Sequence, residues 1–143
     1  MVVVFGHSTL VPGFPIAQPL QVQVIESAMV VLDAPSRGAT VGKGFFVGGW
    51  AADFGSVSGG GIDIVHVYAY PFDRPGDPIM VGAVQVIWPR PDVAAAFGAQ
   101  FGTSGFNLLA APVPPGAYRV VAFGRSLVTG TFSAVAVAEV TVR

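Results

Sequence analysis

The sequence predicts an all-β protein built as an antiparallel β-sandwich, and three observations predict it. Short segments rich in β-branched and aromatic residues recur along the chain. Clusters of Gly and Pro separate them, drawn from 19 glycines and 12 prolines in 143 residues. Helical periodicity is nearly absent, whereas alternation at period two is frequent.

The elements follow in order. Val2–Phe5 reads as a strand, and His7–Pro19 as an extended linker fixed by its prolines. Leu20-Gln21-Val22-Gln23-Val24 alternates strictly, with Leu20, Val22 and Val24 on one face. Residues 1–28 therefore form an N-terminal extension, and 29–143 the sandwich domain. Within it, Met29–Leu32 is a strand and Ser36-Arg37-Gly38 a turn. Phe45–Ala52 is the second strand, and Phe54–Gly61 a small-residue loop with three consecutive glycines. Ile62–Tyr70 carries the strongest strand pattern. Ile79–Trp88 answers it across the polar turn Pro71–Pro78. Pro89-Arg90-Pro91-Asp92 breaks that strand, and Asp92 is placed to cap a short helix, Val93–Phe97, stopped by Gly98. Gly105–Ala110, Ala117–Arg125 and Thr131–Val142 complete about seven core strands.

Composition narrows function. Seven Lys+Arg against eight Asp+Glu leave a net charge of −1, which provides no counterion-release drive toward nucleic acid. No cysteine is present, so disulfides and thiolate-held metals are excluded. No apolar run reaches the ~18–20 residues of a membrane helix, and Met1–Phe5 is too short and lacks the basic start of a secretory signal. Charged residues make up 10% of the chain, well under the ~25–35% expected of a soluble surface.

No catalytic, metal or cofactor site is expected. His66 lies mid-strand and reads as structural. No serine occupies a nucleophile elbow, and Gly59-Gly60-Gly61 precedes a strand rather than a helix, unlike a phosphate loop. Asp53 and Asp63 flank one loop and are the best carboxylate pair for calcium, but the aspartates lack calcium-loop spacing and read as turn formers. Tyr68, Tyr70, Phe72 and Trp88 fall near one hairpin, where core and interface packing competes with stacking on a sugar ring.

Residues 29–143 carry a resemblance to a known family. The resemblance is carried by Asp33-Ala34-Pro35 with Gly38-Ala39-Thr40-Val41, by Gly49-Trp50-Ala51-Ala52-Asp53, and by Gly61-Ile62-Asp63 with Val65–Pro71. Arg90-Pro91-Asp92-Val93 with Phe97-Gly98, Ser104-Gly105-Phe106 and Pro114-Pro115-Gly116-Ala117-Tyr118 complete it. The family it resembles is the bacterial immunoglobulin-like domain of secreted and surface proteins, which implies an immunoglobulin-like sandwich. Tyr118, just after a Pro-Gly corner, is placed like a tyrosine corner. Trp50, Phe106, Tyr118 and Val121 are the expected core anchors.

Both faces of the strongest strand are apolar: Ile62, Ile64, His66, Tyr68 and Tyr70 oppose Val65, Val67 and Ala69. A solvated antiparallel sheet normally shows water one polar face. These faces, with the extension, suggest a structural, self-assembling subunit of an extracellular, pilus-like filament or surface layer. Its expected partner is itself, with no membrane span. The expected assembly residues are Val2, Val3, Val4, Phe5, Leu20, Val22, Val24, Ile64, Tyr68 and Tyr70, with the N-terminal strands donated by β-augmentation. The alternative is a glycan-binding or adhesive accessory module meeting surface glycans.

Overall fold

The computed structural model describes residues 27–143, together with the backbone strands β1 (Val2–Gly6) and β2 (Leu20–Val24). The expected linker His7–Pro19 lies outside the described residues. β1 and β2 pair antiparallel with each other, Val2 opposite Val24 and Gly6 opposite Leu20. Each expected donor strand thus has the other along one edge.

The rest is all-β and forms two packed sheets. A five-stranded sheet runs in the order β4 (Ala39–Val41), β10 (Ala134–Val142), β9 (Gly116–Ser126), β6 (Ile62–Pro71), β7 (Ile79–Gln85). A three-stranded sheet runs β3 (Ala28–Ala34), β5 (Phe46–Asp53), β8 (Gly105–Leu109). Val65, Val67, Ala69, Val120 and Ala122 from the larger sheet meet Val30, Val47, Ala51 and Phe106 from the smaller in one core. Burying a Val or Phe side chain there contributes about 1.5–3 kcal/mol.

β4 is absent from the sequence expectation. Three residues are too few to show alternation, and β4 runs parallel to β10, with Ala39 opposite Val140. β7 ends at Gln85, short of Trp88, because Trp88 turns away to bridge Gly105 beside the other sheet. A bulge between Val67 and Tyr68 places Gly82 over Leu108; a Cβ there would sit 2.8 Å from the leucine Cδ1, at a φ of +153°.

The short helix α1 (Pro91–Phe97) forms, but Asp92 does not cap it. Arg90 is the N-cap residue, and its side chain takes the Asp92 carboxylate instead. Trp50 also departs from expectation. Odd-numbered Val47, Gly49 and Ala51 face the main core, so Trp50 lies on the opposite side of β5. There it packs on Phe54 and Phe97 in a smaller cluster with Val93 and Phe101. Phe106 and Tyr118 lie in the main core. Val121 is buried on the outer face of the five-stranded sheet, between its cross-strand neighbours Tyr68 and Val137. Ile62 is in the core rather than on the face of Ile64, because the β6–β9 register shifts between Ile62 and Val65.

The Tyr118 hydroxyl donates to the Pro114 carbonyl at 2.7 Å and accepts from Arg74 Nη2. Arg74 also pairs with Asp73, whose other carboxylate oxygen accepts the Ala117 N–H. This network pins the Pro71–Pro78 turn to the start of β9.

Candidate functional site: an aromatic groove on the outer face

β6, β9 and β10 each present every second residue outward. Cross-strand register sets the outer face in rows: His66 beside Phe123 and then Val135, Tyr68 beside Val121 and then Val137, Tyr70 beside Arg119 and then Glu139. Val135 and Val137 are 50% and 52% exposed. This face therefore carries apolar side chains where a solvated sheet would show polar ones.

Within it lies a groove of about 300 Å³ lined by His66, Tyr68, Tyr70, Phe123 and Phe132. The His66 ring packs on Phe132 at 4.4 Å between centroids. Tyr68 meets Phe123 edge to face at 5.9 Å and lies 6.3 Å from Tyr70. Such arrangements suit the ring quadrupole.

An arginine stands at each end. Arg125 lies 5.9 Å from the Phe132 ring and grips Asp63 through Nε and Nη2. Its hydrogen bonds and charge hold the Asp63 carboxyl below the usual carboxylate range. Arg119 sits 4.8 Å over Phe72 and directly across from Tyr70. Its one side-chain hydrogen bond among the described residues is Nε to Glu139 at 3.4 Å. A guanidinium has five N–H donors, so most of this fork has no partner among the described residues.

Ile64, Tyr68 and Tyr70 of the expected assembly surface lie on this face. Val2, Val3, Val4, Phe5, Leu20, Val22 and Val24 lie in β1 and β2. Tyr68, Tyr70, Phe72 and Trp88 do not form one cluster: Phe72 is under Arg119, and Trp88 belongs to a separate cleft beside the three-stranded sheet. Asp53 and Asp63 do not converge either. Asp53 is buried and accepts hydrogen bonds from the Ser27 and Ser126 hydroxyls and from the Gly55 N–H at 2.8 Å. Sequence reasoning missed Arg119, Phe123 and Phe132. The first two become visible only through the β6–β9 register, and Phe132 through the turn that precedes β10.

Three solved structures of superoxide reductase (neelaredoxin) from Ignicoccus hospitalis are similar to this chain. One shares 18% identity over 82% of each chain, with a TM-score of 0.47. Another shares 18% over 80% of each, and a third 16% over 82% of each, both at 0.47. No protein-family model and no curated protein matches the chain.

The structures found are those of a reductase and not, as the sequence led us to expect, of a bacterial immunoglobulin-like surface domain. The expectations of a filament or surface-layer subunit, of a glycan-binding module, of a non-enzyme and of an extracellular location likewise find no support in these structures. At this level of similarity, none of the reductase's chemistry passes to this chain. The described residues do not fit a redox metal centre: the chain has no cysteine, His66 is stacked on Phe132, and among the described residues no three His, Cys, Asp or Glu converge.

Proposed function

We propose that this chain is a ligand-binding β-domain whose outer-face groove takes a planar, largely apolar carboxylate. The observation that carries the reading is the junction of the aromatic groove with Arg119. Rings from β6 and β9, with Phe132 at the entry to β10, supply apolar walls. The volume is at the small end of small-molecule sites. At the Tyr70 end, Arg119 is steadied on Phe72 and carries one long hydrogen bond. A guanidinium with free N–H groups matches a carboxylate bidentately. Arg125, at the other end, is already engaged by Asp63 and gives the ligand a direction.

Titration with 2-naphthoate tests this reading, with Arg119→Gln as the paired variant. Saturable binding that weakens in the variant supports it. Binding unchanged in the variant refutes the assigned polarity.

A further inference from the structure

A second concave site lies on the other side of the molecule's sheet pair, and its chemistry is opposite. The cleft measures about 290 Å³ and is lined by Asp33, Gly48, Trp88, Arg90, Gly105 and Asn107, among others. Its floor has no side chains for a structural reason. A Cβ on Gly105 would lie 2.8 Å from the Trp88 carbonyl oxygen and 2.9 Å from Arg90 Cγ. One on Gly48 would lie 3.3 Å from the Phe106 carbonyl oxygen and 3.5 Å from Asn107 Oδ1. The Trp88 bridge to Gly105, with N–H to carbonyl distances of 2.9 Å both ways, fixes the tryptophan at the rim, where it is 53% exposed.

Arg90 is the one cation lining this cleft, and its fork is spent within the protein. Nε and Nη2 hold Asp92 at 2.8 and 2.6 Å, and Nη1 holds Asp33 Oδ2 at 2.7 Å. The capacity left over is of one kind. Asp33 keeps its second carboxylate oxygen, and its side chain is largely exposed. Asn107 Oδ1 leans over the Gly48 floor. Trp88 offers a ring to solvent. Arg90 with its partners Asp33, in the lining, and Asp92, just outside it, carries a formal charge of −1. An acceptor oxygen, an amide oxygen and an indole face all attract a cation.

We infer that the Trp88–Asp33 cleft binds a compact organic ammonium group, with the cation against the indole and its charge facing Asp33. The inference is independent of the outer-face groove, which lies on the other sheet.

The test uses the full chain and follows the Trp88 indole N–H by NMR, with Trp50 as the internal reference. The probes are tetramethylammonium, n-butylammonium and neopentyl alcohol, the last a neutral control of similar bulk. Both ammonium probes should shift the Trp88 signal saturably, and the alcohol should bind at least about threefold more weakly. Asp33→Asn should weaken both ammonium probes while leaving the response to the alcohol unchanged. Equal binding of alcohol and ammonium, or no Trp88 response to either cation, overturns the inference. The wild-type comparison decides even if the variant fails to fold.

Discussion

Arg119 stacks on Phe72 at 4.8 Å while its Nε makes a 3.4 Å contact to Glu139. The stack orients the guanidinium, and the long contact commits little of it. An exposed ion pair of this kind contributes about 0–1 kcal/mol, so a ligand carboxylate can displace Glu139 at little cost. Arg119→Gln should weaken 2-naphthoate by about tenfold or more, since a hydrogen bond to a charged group contributes about 1.5–3 kcal/mol. Glu139→Gln should leave binding equal or tighter. Isothermal titration of both variants checks the pair.

The two faces of the larger sheet should respond differently to truncation. Val67 is fully buried, and Val67→Ala should destabilise by about 1–3 kcal/mol. Val137 is half exposed on the outer face, and Val137→Ala should change stability by no more than about 0.5 kcal/mol. Urea denaturation measures both, and equal losses would show that the outer face is packed as a second core.

Gly49 is required by a close approach, not by its conformation. A Cβ there would collide with the Val31 carbonyl oxygen across the β3–β5 ladder. Gly49→Ala should therefore unfold the chain or lower its melting temperature sharply. Gly42→Ala is the control, because the nearest atom to a Cβ there is 4.0 Å away. Circular dichroism melts of the two variants separate the effects.

Tyr118→Phe removes the hydroxyl that donates to Pro114 and accepts from Arg74. The lost bonds should cost about 1–3 kcal/mol, because both partners lie beside the core. Chemical denaturation of the variant measures the loss, and a neutral result would mean that the corner is held by packing alone.

Acid should destabilise the fold through carboxylates held below their ordinary value, Asp53 and Asp63 among them. Burial raises the Asp53 value, but hydrogen bonds from Ser126, Ser27 and the Gly55 N–H outweigh it and leave it below its ordinary 3.8. Asp63 is held below 3.8 by Arg125. A depressed folded-state value adds stability that is complete above the unfolded value and is lost as pH falls through the folded one. Stability should therefore decline as pH drops below about 4, and Asp63→Asn should shrink the decline. Thermal midpoints measured between about pH 6 and pH 2 check the sign.

The strands were largely legible in the sequence, because β-branched residues alternate at period two over Ile62–Tyr70 and Thr131–Val142. What alternation cannot encode is register. One shift between Ile62 and Val65 sends Ile62 to the core. Alternation also leaves open which parity of β5 and β9 faces the main core: Ala51 and Val120 do, whereas Trp50 packs against the smaller cluster and Val121 is buried on the outer face. The half of the groove from β6 was visible as His66, Tyr68 and Tyr70. The half from Phe123, Phe132 and Arg119 depends on which residues become opposite neighbours, which no local pattern states. Trp88 read as a continuation of β7, whereas its hydrogen bonds go to Gly105, 17 residues onward in the chain.

The most direct test of the groove is a chemical-shift map of the full chain titrated with 2-naphthoate, run beside the neutral 2-acetylnaphthalene. The account predicts saturable shifts centred on His66, Tyr68, Tyr70, Phe123 and Phe132, with Arg119 responding to the carboxylate and not to the ketone. Shifts centred elsewhere, or an Arg119 indifferent to the ligand's charge, would contradict it.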